Sequence, residues 1–396
     1  MNRITVGTFK PSPNLPGKLV ECINSGRISQ GENVAMFERK FAEYHATKYC
    51  VAVSSGTDAD TLAWAYLQDW NHYKGMEVII PALTFVSCAN SIMQAGFKAQ
   101  FVDVDPISYN INPDLIPSAI TPKTIGIMPV HLFGRPADMD AILKIHKWPY
   151  VVEDAAEAHG SRYKGQLVGT FGNVGTYSFY IAHIITAGEG GAIITDDPKI
   201  AGALRSLRAH GRDCNCAKCM LNINSDYCPK RFKDPSIDTR FHFSRVGFSA
   251  KMNEMEALVG LDQVDQFSDI VNRRRFNMHT LIESLSKYET ELQLMREKSY
   301  ERISPLAFPI VITDKAKFNR NTIVDYLEKH DIETRPMFSC IPTQEPAYEF
   351  LGYKKGQFPV AEKIGERGFY IGVHQNISEE ELSHISKTFT EFMEKQ

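Results

Sequence analysis

A histidine at a polar corner, a strand-end aspartate, a small-residue turn and a crowd of cysteines are the groups in this sequence able to do chemistry. His183 stands in Thr176-Tyr-Ser-Phe-Tyr-Ile-Ala-His183-Ile-Ile-Thr-Ala-Gly-Glu-Gly-Gly-Ala192. That stretch reads as a strand, a polar corner, a glycine-rich turn and a second strand, Ala192 to Thr195. Imidazole exchanges protons near neutral pH, because its ordinary pKa is about 6.5. Asp154 closes the apolar run Tyr150-Val-Val-Glu-Asp154. Ligand crevices in open α/β sheets lie at the carboxyl ends of strands. A carboxylate there could pair with a protonated ring nitrogen and hold it as an electron sink, or simply cap a helix. Ser54-Ser55-Gly56-Thr57 joins a strand to a helix. Free amides at a helix start suit a phosphate, and the same residues also make an ordinary capped turn. Phe85 follows Pro81-Ala-Leu-Thr84 and could stack on a flat ring or fill the core.

Of eight cysteines, Cys22, Cys50, Cys88 and Cys340 sit among apolar neighbours and read as core thiols. Cys214, Cys216, Cys219 and Cys228 crowd together. Such a cluster points to a metal or redox site more than to a disulfide scaffold.

These groups need a frame to hold them, and the periodicity supplies one. Strand and helix alternate: strands at Tyr49–Ser54, Glu77–Pro81, Gln100–Val104, Thr124–Val130 and Tyr150–Asp154. Helices are predicted from about Asp58, from about Phe85, over Asp114–Ile120 and over Asp138–Lys147. That alternation calls for a mostly parallel sheet flanked by helices, an α/β fold. Upstream, Val34, Phe37 and Phe41 mark a helical arm broken by Ser25-Gly-Arg-Ile-Ser-Gln-Gly31. Residues 214–245 are polar and irregular, long for a loop in a compact domain. One long helix is expected over 252–288, then a small α+β C-terminal domain with a strand at Leu306–Val311 and helices at Asn321–Lys329 and Glu379–Glu394. The expected division is a large domain over 1–250 and a smaller one over 251–396.

Composition narrows the class. With 43% hydrophobic and 23% charged residues, the chain reads as an ordinary soluble globular protein. A net charge of -3 with dispersed basic residues argues against a nucleic-acid partner. No run of about 18 apolar residues occurs, so no membrane span is expected. The opening Met-Asn-Arg-Ile-Thr-Val lacks a signal-peptide core, and the expected compartment is the cytoplasm.

Taken in order, Val-Ser-Ser-Gly-Thr, Pro-Val-His-Leu-Phe-Gly-Arg-Pro-Ala-Asp-Met, Val-Glu-Asp-Ala-Ala-Glu-Ala-His-Gly and Gly-Phe-Ser-Ala-Lys-Met-Asn-Glu-Met-Glu-Ala resemble the DegT/DnrJ/EryC1/StrS family of sugar aminotransferases and dehydratases. The resemblance runs from about residue 10 to the C-terminus. It implies the aspartate-aminotransferase-like fold (PLP transferase type I), a pyridoxal or pyridoxamine phosphate cofactor, a nucleotide-sugar substrate and a homodimer. By that resemblance Gly56, Thr57 and Ser178 bind the cofactor phosphate, Phe85 stacks on its ring and Asp154 pairs with the ring nitrogen. Glu157 falls near the ring oxygen, where glutamine is frequent. Ser249 stands where an asparagine from the partner subunit usually reaches the phosphate. His183 takes the place of the lysine that normally tethers the cofactor; a Schiff base needs a primary amine, which imidazole lacks. That exchange resembles the nucleotide-sugar 3-dehydratases, which also share Ser-Phe-Tyr-x-Ala-His and Gly-Glu-Gly-Gly, and in which the histidine is the base that leads to loss of the C3 hydroxyl.

Cys214-x-Cys216 with Cys228-Pro-Lys-Arg-Phe resembles the iron–sulfur loop of the CDP-4-keto-6-deoxyglucose 3-dehydrase type, which passes electrons from a reductase partner. Its far-upstream fourth ligand corresponds to Ala156 here, a departure from the pattern. Cys219 could supply the missing thiolate of a 2Fe-2S cluster; four thiolates could equally hold zinc, or remain free. His131, His159, Arg27, His374 and Lys251 are secondary candidates for site or dimer contacts. The reading that follows is a 3-dehydratase, with a histidine-tolerant aminotransferase and a non-catalytic homologue as alternatives.

Overall fold

The computed structural model describes residues 3–67, 75–145, 147–219, 227–232 and 236–396. The apolar runs form seven strands: β1 (Tyr49–Val53), β2 (Glu77–Pro81), β3 (Lys98–Val102), β4 (Thr124–Ile127), β5 (Tyr150–Asp154), β8 (Val174–Ser178) and β9 (Gly191–Thr195), with a short hairpin of β6 (Arg162–Tyr163) and β7 (Gln166–Leu167) before β8. They pair in the order β1-β9-β8-β5-β4-β2-β3. Strands β3, β2, β4, β5 and β8 are mutually parallel. Strand β9 runs against both β8 and β1. The link after β8 carries no helix to lead the chain back for a parallel neighbour. It doubles back instead through Gly188 and Gly190, both at positive φ.

Most strands are buried throughout, so helices must cover both faces. Helix α1 (Leu15–Asn24) and α2 (Glu32–Tyr44) make the N-terminal arm. Val34, Phe37 and Phe41 bury one face of α2 against Phe179 and Tyr177 of the β8 segment. Glu38 of α2, buried, meets the buried Arg208 at 2.5 Å and accepts the Ala52 amide of β1 at 2.9 Å. Helix α3 (Gly56–Ala65) follows β1, and α4 (Ser87–Gln94) follows β2.

Residues 292–371 supply a second, antiparallel sheet from β10 (Leu292–Leu294), β12 (Phe308–Ile312), β13 (Thr334–Pro336) and β14 (Gly368–Ile371), in the order β10-β12-β14-β13. Between them β11 (Glu301–Arg302) pairs with the β6 hairpin. One apolar cluster joins the two sheets, running from Val51 and Ile80 to Phe308 and Ile371.

Most predicted elements are present, with shifted ends. Strand β3 starts at Lys98, before the expected Gln100. The segment expected as a helix near Asp114 is a 3-10 turn, Pro113–Leu115, and one α-helical turn, Ile116–Ala119. The single helix expected over 252–288 is two, Glu254–Asp265 and Phe267–Leu285. At Gln266 the backbone amide turns to Gln263 O, and the side-chain amide donates to Asp262 O at 3.0 Å. Those bonds end the first helix without a glycine or proline. Among the described residues no helix is long and apolar enough to cross a membrane.

Candidate active site

A cavity of about 300 Å³ opens where β5 and β8 end, and the antiparallel sheet closes its far side. Its wall carries Gly56, Thr57, Phe85, Asp154, Glu157, Ser178 and His183 together. Seven residues picked from separate strand ends therefore converge on one space.

Each is positioned by a local cause. Helix α3 begins at Gly56, and the Ser55 hydroxyl caps it by accepting the Asp58 amide at 3.0 Å. Amides in a first helical turn have no partner within the helix, so they face the cavity as donors. Glycine is required at 56. A Cβ there would stand 2.5 Å from Ser178 Cβ and 2.9 Å from its Oγ. This contact packs the start of α3 directly onto the end of β8. Phe85 is 53% exposed and faces the Phe338 ring at 5.6 Å.

Asp154 is 5% exposed. Its Oδ2 accepts the Cys88 thiol at 3.0 Å, and its Oδ1 accepts the Ala156 amide at 3.0 Å. Burial raises its carboxyl above the usual range, against the pull of those donors. Glu157 accepts the Phe133 amide at 2.7 Å, yet burial pushes it up to about 8. The charge of Asp154 pushes in the same direction. Phe133 holds a positive φ of 54° to deliver that amide, a conformation uncommon outside glycine.

His183 sits on the turn Tyr180–His183, which is closed by its amide to Tyr180 O at 2.9 Å. Its Nδ1 lies 2.6 Å from the Ala156 carbonyl. A carbonyl only accepts, so the proton resides on Nδ1 and Nε2 carries the free lone pair. Burial lowers the imidazole to about 4, and the Arg274 guanidinium adds to that lowering. The ring is thus neutral at physiological pH. Behind it His159 is fully buried against Phe41, Tyr177 and Phe179 and does not line the cavity. His131 is buried too, with Nε2 3.1 Å from Glu153 and Nδ1 accepting the Ala137 amide, a structural role. His374 is buried away from the wall, and Arg27 lines a different cavity beside α1 and α2.

Two groups of predicted residues are not brought in. Ser249 is exposed, bridges to Ala209 and stands outside this cavity. Cys214, Cys216, Cys219 and Cys228 are all partly exposed. Among the described residues no group of three or more His, Cys, Asp or Glu side chains is placed to hold a metal ion. The expected iron–sulfur or zinc site thus finds no support among the described residues. Cys214, Cys216 and Cys219 instead line a basic recess with Arg205, Arg208, Arg212, Arg240 and Lys251, and Cys228 is not on that wall. Ala156 contributes its carbonyl to His183 and has no thiol to offer.

The cavity also holds residues the sequence did not reveal. Arg335 of β13, Tyr370 of β14 and Phe338 close it from the antiparallel sheet. Asp60, one helical turn beyond Gly56, and Glu189 complete it. The described residues on its wall include no lysine.

A mostly parallel α/β sheet, a helix N-terminus and a buried aspartate at adjoining strand ends, and a small antiparallel sheet as the lid side define the aspartate-aminotransferase-like fold class. Residues 14–390 match the model of the DegT/DnrJ/EryC1/StrS aminotransferase family, and the chain belongs to that family. It is 34% identical over 391 residues to the dTDP-4-dehydro-2,6-dideoxy-D-glucose 3-dehydratase of Saccharopolyspora spinosa, covering 95% of this chain and 84% of the relative. It is 31% identical over 387 residues to the GDP-perosamine synthase of Escherichia coli O157:H7, covering 96% and 97%. The solved structure of the E. coli GDP-4-keto-6-deoxy-D-mannose-3-dehydratase with bound hydrated PLP superposes with a TM-score of 0.84 at 25% identity, covering 98% of this chain and 99% of that one.

Proposed function

We propose that this chain is a pyridoxal- or pyridoxamine-phosphate-dependent 3-dehydratase that removes the C3 hydroxyl of a nucleotide-linked 4-keto-6-deoxyhexose. The observation that carries the reading is His183, with Nδ1–H fixed on the Ala156 carbonyl and a bare Nε2. On a cavity wall whose described residues include no lysine, it offers a base and no tether.

The residues present fit the cofactor. The Gly56 and Thr57 amides, with the Ser178 hydroxyl beside them, form a donor cradle for a phosphate, and a Cβ at 56 would fill it. Phe85 offers an exposed aromatic face for the ring. Asp154, charged against the cost of burial, gains from a cationic ring nitrogen beside it. Glu157, protonated near neutral pH, can donate to an oxygen on the ring. Bound there, the cofactor supplies an electron sink for negative charge that develops on the substrate. His183 accepts a proton at Nε2 and can return it to the C3 hydroxyl, which departs as water. The Ala156 carbonyl steadies the imidazolium through Nδ1–H while the proton is held. Ser249, exposed and outside the cavity of its own chain, reaches a phosphate only as a donor across a homodimer interface.

The amino-sugar product in the name of the GDP-perosamine synthase relative makes aminotransfer the competing reading. Incubating the purified protein with dTDP- and GDP-linked 4-keto-6-deoxyhexoses, pyridoxamine phosphate and glutamate, then weighing the products, separates the two. The expected product has lost the C3 oxygen. A stable 4-amino sugar that keeps this oxygen would overturn the dehydratase reading.

A further inference from the structure

The floor of the cavity carries a second acid beside Asp154. Asp60 lies on α3, is 3% exposed and lines the same cavity wall. Its Oδ1 has no hydrogen-bond partner among the described residues. Asp154 differs in kind, because each of its oxygens accepts a donor, Cys88 Sγ–H and Ala156 N–H. Two carboxylates this deeply buried on one wall cannot both carry charge without a large penalty. Donors collect on the oxygens that are ionised, and an oxygen without a donor belongs to the neutral member. We propose that Asp60 keeps its proton in the folded protein, leaving Asp154 as the one charged member of this pair on the cavity floor.

The surroundings agree. Of the elements packed on α3, β5 presents Asp154, α4 presents the Cys88 thiol and β8 presents the Thr176 hydroxyl. Burial and the charge of Asp154 both raise Asp60 well above the carboxylate range, and only the Thr176 hydroxyl opposes them. Burial and the charge of Asp154 raise Cys88, so the thiol stays neutral and serves Asp154 as a donor. No basic side chain is among the groups acting on Asp60. His131, which acts on Asp154, is itself engaged by Glu153.

The consequence for chemistry rests on the proposed function in one respect only, that Asp154 faces the ring nitrogen of the cofactor. An ionised Asp60 would place a second anion under that nitrogen and bind its proton more tightly. A neutral Asp60 leaves Asp154 as the sole counter-ion and fixes the strength of the electron sink.

The test uses protein stripped of cofactor and labelled with carboxyl-¹³C aspartate, followed by infrared spectroscopy between about pH 5 and about pH 9. At neutral pH the wild type shows the C=O stretch of one protonated aspartate. The band is lost in the isosteric Asp60→Asn and kept in Asp154→Asn. A wild-type spectrum without that band at neutral pH overturns the proposal, and this arm needs no variant to fold. A band that survives in Asp60→Asn overturns it as well. Adding pyridoxal phosphate separates this result from the broader reading. Failure to bind, seen as an unchanged visible spectrum and unchanged intrinsic fluorescence, defeats the cofactor assignment, while the infrared band still decides where the proton is.

Discussion

Replacing Gly56 by alanine tests the site at its tightest contact. The new methyl would stand 2.5 Å from Ser178 Cβ, whereas carbon atoms rest comfortably at about 3.5–4.0 Å. About 1 Å must come from movement of α3 away from β8. Strand β8 cannot yield easily, since it is bonded on both sides by β5 and β9. Overpacking of this kind costs about 1–3 kcal/mol, and the better helix propensity of alanine returns up to about 1 kcal/mol. A net loss of about 0–2 kcal/mol follows. Binding suffers separately. The displaced start of α3 and the Ser178 hydroxyl no longer converge on one anion. Losing one hydrogen bond to a charged group costs about 1.5–3 kcal/mol, which weakens pyridoxal phosphate by about ten- to a hundredfold. Calorimetric melting reads the first effect, and a fluorescence titration with pyridoxal phosphate reads the second. Gly17→Ala on α1, where nothing stands within 4 Å of the added methyl, is the control and leaves binding unchanged. Unaltered cofactor affinity in Gly56→Ala would refute the phosphate cradle, whatever happens to the melting temperature.

Three further outcomes are expected. His183→Lys restores a primary amine to the cavity wall, so borohydride treatment with pyridoxal phosphate yields a covalent adduct at residue 183 by mass spectrometry; wild type yields none there. The imidazoles of buried His45 and His374 and of half-buried His183 are each lowered to about 4, chiefly by loss of water around the ring. A lowered folded pKa gives stability that is present above about pH 6.5 and is lost as pH falls toward about 4. Melting temperature should therefore drop steeply across that window, and a flat profile would contradict the burial of these rings. Glu38→Ala leaves Arg208 buried without its carboxylate and the Ala52 amide without its acceptor. It should cost about 3–5 kcal/mol in denaturant unfolding, while Glu43→Ala on the exposed face of α2 changes little.

The strand ends were the readable part of this sequence. Tyr49–Val53 and Tyr150–Asp154 are short apolar runs with sharp polar ends, and the crevice rule points to Gly56 and Asp154, which share one cavity wall. Arg335 and Tyr370 gave no such signal. They come from short antiparallel strands that face the cavity only because one apolar core docks both sheets. The break at Gln266 escaped for a different reason. It is made by a side chain bonding back to its own helix, in a stretch whose apolar period does not change. The spacing of the cysteines suggests ligands, while among the described residues Cys214, Cys216 and Cys219 share a recess with arginines and Cys228 is not on that wall. Asp60 was hidden because a carboxylate on a helix reads as a surface charge until the packing of α3 is known.

The closing of the cavity by Arg335 and Tyr370 also sets an order in time. A ribosome releases Gly56, Asp154 and Ser178 well before it releases β14. Until then a nascent chain can own the anion cradle without the far wall, and water has open access to whatever binds there. The amino-terminal segment joins equally late, since Ile4 bridges to Ile332. Synthesis must pass β14 before the pocket can be sealed, so a fragment that stops short of Gly368 carries the cradle without its far wall.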